Sequence, residues 1–142
     1  DIERMVHAEV CVAHNARSNG KAGRGIAPVE AMRKAGIPVG ISTDGAMSGN
    51  TLDLFSQFAP VSMFAKLLGH SRKPMASVDV VRMATRDGAR VLGLDAKVGS
   101  LEAGKQADLI RVSLASPRQQ PVYDIYSMIT WFHAGLRPRD FR

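Results

Sequence analysis

Cysteine is nearly absent: Cys11 is the single one in 142 residues, which excludes an intrachain disulfide framework. Set in the apolar run Val10-Cys11-Val12-Ala13, it reads as a small buried hydrophobe in a reducing compartment, with the cytoplasm the expected location. Metal-ligand spacing is missing too. The histidines form no His-x-His or His-Glu-x-x-His pair and there is no Cys-x-x-Cys, so these residues alone cannot close a metal site. His7, His70 and His133 are expected to be surface or packed side chains. No apolar stretch approaches the roughly 20 residues that cross a bilayer, and the opening Asp1-Ile2-Glu3-Arg4-Met5-Val6 has helical character without the features of a secretory signal.

Aromatic residues make up only 6% of the chain. This matters because the formal charge of +6 would otherwise invite a nucleic-acid reading. The basic residues are scattered, from Arg17, Lys21 and Arg24 through Arg82, Arg86 and Arg90 to Arg137, Arg139 and Arg142. Neither a basic run nor an alternation of charge with aromatic stacking platforms is present, so no nucleic acid is expected as partner. The hydrophobic content of 45% suits one modest globular domain.

Two short, uniformly apolar runs, Val10-Cys11-Val12-Ala13 and Val39-Gly40-Ile41, read as buried parallel strands. Between them Pro28 to Gly36 has proline at its start, helix formers inside and glycine past its end. Strand, helix and strand make a βαβ unit. A loop of small residues, Gly45 to Asn50, then leads to Thr51 as a helix cap and a helix over Leu52 to Leu68, which Pro60 should kink or divide. Further helices are expected over Val78 to Ala84 and through Ala89-Arg90-Val91-Leu92, closed by Gly93. Beyond Leu94 the character changes: turn chemistry from Val98 to Lys105 precedes a strand at Ala107 to Val112. For Ile125 to Phe132, periodicity leaves helix and strand both open.

The run Val39-Gly40-Ile41-Ser42-Thr43-Asp44-Gly45 carries the sharpest functional signal. A carboxylate at the C-terminal end of a parallel strand points into the mouth where α/β proteins bind ligands. Asp-Gly is also a common turn dipeptide, so Asp44 needs context. His14-Asn15-Ala16-Arg17-Ser18-Asn19 supplies it by placing polar groups at the end of the preceding strand, at the same level if the two strands are neighbours. Read alone, that segment is an ordinary polar loop turning at Asn19-Gly20. Gly99-Ser100-Leu101-Glu102-Ala103-Gly104-Lys105-Gln106 matches a phosphate-binding loop except at Gln106, where Ser or Thr would hold magnesium. The strand-like sequence after it excludes a nucleoside triphosphatase.

These blocks resemble the metal-dependent amidohydrolase superfamily, in its branch of aminoheterocycle deaminases and chlorohydrolases, with the methylthioadenosine/S-adenosylhomocysteine deaminases as the nearest group. The resemblance rests on His14 to Asn19, Gly25-Ile26-Ala27-Pro28-Val29, Ser42-Thr43-Asp44-Gly45-Ala46 and Leu52-Asp53-Leu54-Phe55. It continues through Met83-Ala84-Thr85-Arg86-Asp87-Gly88-Ala89 and Gly99 to Ile110. It implies an α/β fold: the C-terminal part of a (β/α)8 barrel, its last two strands and following helices over residues 1–94, with 95–142 returning to a small, incomplete β-sandwich.

The same resemblance makes Asp44 both a metal ligand and the proton-accepting catalytic group of a site holding one divalent ion, zinc foremost and iron as the alternative. In such enzymes the metal makes hydroxide available at neutral pH, by lowering the pKa of a bound water to about 7, for deamination of a purine-like heterocycle. Ser48, Ser18 and Asn19 are implied as substrate-binding residues, and no role is assigned to His14. The family's other ligands and its acidic glutamate have no counterpart in this sequence. Related readings are a chlorohydrolase or cyclic-amide hydrolase of the same fold, or an inactive portion that needs a partner chain. The expected partners are a small aminoheterocycle and either a second copy or the missing N-terminal strands, with no membrane association.

Overall fold

The computed structural model describes residues 1–114, 117–132 and 138–139. His133 and the residues after it, apart from 138–139, lie outside that set. Helix α1 (Ile2–His7) leads into strand β1 (Val12–His14), followed by α2 (Ala16–Lys21), α3 (Val29–Lys34) and strand β2 (Val39–Ile41). The two strands run parallel with Val12 opposite Val39, Ala13 opposite Gly40 and His14 opposite Ile41. The βαβ unit expected from the sequence is therefore present, and its register brings both strand ends to one level.

β1 begins later than its apolar run. The Val10 amide turns back to Met5, closing α1, and the ladder opens only where the Val12 amide reaches the Pro38 carbonyl at 2.9 Å. As a result Val10, Cys11 and Ala13 are exposed, which corrects the expectation of a buried Cys11 thiol. β2, by contrast, is buried throughout. Val39 and Ile41 pack into a core with Phe58, Val61, Val80 and Met83.

After β2 the expected loop closes into a short helix, α4 (Ala46–Gly49). Thr51 does not cap a helix beginning at Leu52. Its hydroxyl accepts from the Asp53 amide, and the Asp53 carboxylate accepts from Phe55 to start a 3-10 turn over Leu54–Gln57. Helix α5 (Phe58–Leu68) follows, with Pro60 in its first turn, where the missing amide proton has no helical partner to lose. Helices α6 (Ser77–Ala84) and α7 (Arg86–Val91) then cover β2. Arg33 on α3 ties their first turns together, through Asp79 at 3.3 Å and Asp87 at 3.8 Å.

The strand expected at 107–112 is paired only at its end, as β3 (Arg111–Val112) against β4 (Pro138–Arg139). Helix α8 (Ile125–Trp131) resolves the ambiguous tail segment in favour of helix, because Asp124 caps it by accepting the Ser127 amide at 2.6 Å. It packs against α5 and α6, with its buried Thr130 hydroxyl reaching the Ser77 carbonyl. In the glycine-rich segment after Gly99, Lys105 is held by the Ser100 hydroxyl at 2.7 Å and by Glu102 at 3.6 Å, and among the described residues no helix begins between it and Pro117. Its ammonium is committed within its own turn, consistent with the rejection of a phosphate-binding loop.

Candidate active site

The parallel register places the first residues after both strands side by side, and the Ser42 amide donates to the His14 carbonyl at 3.0 Å. From this shared edge two segments rise. One is α2, which begins two residues after His14. The other is the turn carrying Asp44, whose backbone takes the left-handed conformation at φ 61°. Asp tolerates that region better than most residues, but it remains a strained choice that the surroundings must hold.

Those surroundings are specific. The Ser18 hydroxyl donates to Asp44 Oδ2 at 2.7 Å and the Gly45 amide donates to Oδ1 at 2.7 Å. The Thr43 hydroxyl donates to the Asp44 carbonyl at 3.1 Å. The hydrogen bonds from Ser18 and Gly45 hold the Asp44 carboxyl below its ordinary range, with smaller contributions from the Ser48 hydroxyl and the Arg24 charge. Asp44 is thus an ionised, solvent-facing carboxylate that accepts a hydrogen bond at each oxygen.

Of the residues singled out from the sequence, Asp44, Ser18 and Ser48 meet. Ser18 is buried, and its proton is committed to Asp44. Asn19, half-buried on the same helix, accepts the Arg24 amide on its carbonyl at 3.0 Å, which helps hold Arg24 beside the site. His14 is buried on β1, and burial lowers its pKa, so the imidazole is neutral. Asn15, at the start of α2, does not cap it, and its Oδ1 is buried without a hydrogen-bond partner among the described residues.

Sequence reasoning missed Lys21, Arg24 and Gln57. Lys21 donates to the Met47 carbonyl at 3.2 Å, and Gln57 accepts the Arg17 amide at 3.1 Å. Gln57 lies 40 residues away from Arg17, so no local pattern could reveal it. Gly49 is a second supporting position, since α4 folds back so tightly that a Cβ there would lie 2.7 Å from the Thr43 carbonyl oxygen.

An exposed, ionised carboxylate suits a hard or borderline divalent cation as one ligand of several. Among the described residues no group of three or more His, Cys, Asp or Glu side chains could hold a metal ion. A cleft of about 600 Å³, lined by residues including Gly40, Ser42, Val91, Leu101 and Ile110, does not include Asp44. Asp44 itself is exposed to solvent.

Comparison with known proteins decides the kinship. Residues 1–132 match the amidohydrolase family. The chain belongs to that family. A 5-methylthioadenosine/S-adenosylhomocysteine deaminase of Teredinibacter turnerae is 35% identical over 137 residues, covering 96% of this chain and 31% of the relative. One from Syntrophus aciditrophicus is 40% identical, covering 92% and 30%. Among solved structures, an adenosine deaminase from Xanthomonas campestris with bound zinc superposes with a TM-score of 0.87 at 35% identity, covering 92% of this chain and 30% of that one. An atrazine chlorohydrolase from Arthrobacter aurescens complexed with zinc gives 0.84 at 27%, covering 90% and 29%.

This amidohydrolase chain therefore spans about 30% of the length of the relatives it matches. Its mixed helix and strand content is that of the amidohydrolase fold. Among the described residues no helix is long and apolar enough to cross a membrane.

Proposed function

We propose that this chain is the C-terminal portion of a metal-dependent hydrolase that deaminates an amino-substituted heterocycle of purine or nucleoside type. Residues 1–94 would complete the barrel and 95–142 would return to the β-sandwich. The observation that carries the reading is the ionised Asp44 carboxylate, presented at the end of a buried parallel strand by Ser18 and Gly45. Kinship supports it, since curated relatives at 35–40% identity are named as deaminases of 5-methylthioadenosine and S-adenosylhomocysteine.

Asp44 would supply one ligand to a divalent ion, with zinc favoured because related structures contain it. When bound, such an ion supplies hydroxide at neutral pH and polarises the ring position under attack. This chain's contribution is a base held ionised: Asp44 takes up a proton from the attacking water and passes it to the departing amino nitrogen, which leaves as ammonia. Ser48 and Asn19 would be the substrate-binding residues beside Asp44. The rest of the ligand set would come from the preceding barrel strands, so this chain alone would not turn over.

A second reading, displacement of chloride by the same nucleophile, draws on the likeness to the atrazine chlorohydrolase. The test is an assay of the complete zinc-loaded enzyme on 5-methylthioadenosine, S-adenosylhomocysteine, adenosine, aminopurines, pterins and chlorotriazines. Ammonia release from the adenosine derivatives is expected. Chloride release alone would select the second reading, and release of neither product would overturn both.

A further inference from the structure

Helix α2 is gripped on two sides. On one, the fully buried Gln57 accepts the Arg17 amide at 3.1 Å, satisfying an N-terminal donor that the Asn15 side chain leaves uncapped. On the same packed side Gly20 lies so close to the Phe64 ring of α5 that a Cβ would meet Cζ at 2.6 Å. Toward the site, Ser18 donates to Asp44 Oδ2 and Lys21, three residues on, donates to the Met47 carbonyl. Residues three apart share a helix face, so one face of α2 is laid along the Asp44 turn.

The orientation of the carboxylate is the quantity at stake. A carboxylate rotates in a broad, roughly two-fold torsional well. Without Ser18 the carboxylate would keep the Gly45 amide on Oδ1 and only the smaller contribution of the Ser48 hydroxyl. The second short bond, from a buried hydroxyl on a helix fixed by Gln57 and Phe64, sets the plane. We propose that Ser18 is a positioning residue that fixes the plane of the Asp44 carboxylate for metal and proton, rather than a substrate contact. The proposal rests on the reading of Asp44 as metal ligand and proton acceptor.

The experiment compares Ser18→Ala, Ser18→Thr and Asp44→Asn in the complete enzyme, measuring kcat, KM and the rate at which zinc is lost to a chelator. Removing a group that orients a metal ligand typically costs about 10- to 100-fold in activity or metal affinity. Ser18→Ala is therefore expected to lower kcat about tenfold or more, to speed zinc loss, and to leave KM within about twofold, with Ser18→Thr restoring part of kcat. Should Ser18→Ala not yield folded enzyme, Ser18→Cys, similar in size but a weak donor, makes the same comparison. A wild-type kcat and zinc-loss rate in the hydroxyl-free variant, or a rise confined to KM, would overturn the assignment of Ser18 while leaving Asp44 in place. Wild-type turnover of Asp44→Asn would instead overturn the underlying reading and this proposal with it.

Discussion

A methyl group added at Gly49 would come to 2.7 Å from the Thr43 carbonyl oxygen, when ordinary contact begins at 3.4 Å. The blocking atom is backbone, so relief requires Thr43 or α4 to move by roughly 0.7 Å, and Thr43 immediately precedes Asp44. Alanine would gain about 0.5–1 kcal/mol over glycine within a helix. Overpacking typically costs about 1–3 kcal/mol, so Gly49→Ala should be net destabilising by up to roughly 2.5 kcal/mol. The larger effect should be on chemistry, because a misplacement of about 1 Å can cost about 100-fold in rate. We expect kcat of the complete enzyme to fall by about 10- to 100-fold, with the urea unfolding midpoint lowered slightly. A variant with kcat within about twofold of wild type and an unchanged or raised midpoint would refute the claim that α4 buttresses the Asp44 turn.

Other perturbations probe separate parts of the structure. Met83 is fully buried in the core beside β2, so Met83→Ala should lower unfolding free energy by about 2–5 kcal/mol in urea titrations. A loss below about 1 kcal/mol would mean that the site collapses freely. Burial keeps the His14 imidazole neutral, with its folded pKa below the ordinary 6.5. The unfolded chain therefore takes up a proton first. Stability should be full above pH 6.5 and decline as pH falls through that value toward the folded pKa. His14→Gln should flatten this decline between neutral and mildly acidic pH, whereas an unchanged slope would contradict the burial argument. Asp124 is held below its ordinary 3.8, first by the Ser127 hydroxyl and then by the Ser127 amide. Its cap on α8 should contribute above the unfolded value and be lost as pH falls through the folded one. Asp124→Ala should speed hydrogen exchange at the Ser127 amide, and unaltered protection there would count against the cap.

What could be read from the sequence depended on whether a segment's partners were local. β2 was legible because Val39-Gly40-Ile41 is buried on both faces and shows as an unbroken apolar run. α3 was legible from Pro28 and Gly36, which punctuate its ends. β1 was displaced because hydrophobicity marks burial, while pairing starts where the Pro38 carbonyl opens the ladder. α2 was hidden for a different reason. Its N-terminal amide is satisfied by Gln57 and its Gly20 is made useful by Phe64, both supplied by tertiary packing. The site divides in the same way. Asp44 announced itself as a strand-end carboxylate, and Ser18 stood in the polar block after β1. The contacts that join Ser18 to Asp44 and Lys21 to Met47 cross 26 residues and appear only once the strands pair.

The account stands most directly on the role of Asp44, and one measurement addresses it: ammonia release from 5-methylthioadenosine by the complete enzyme with Asp44→Asn, compared with wild type at matched zinc content. The substitution keeps the size of the side chain and removes its charge and its capacity to take up a proton. A positioned acid or base contributes roughly 100- to 10,000-fold, so turnover should fall by at least about two orders of magnitude. Turnover near the wild-type rate would contradict the assignment of Asp44 as ligand and proton acceptor.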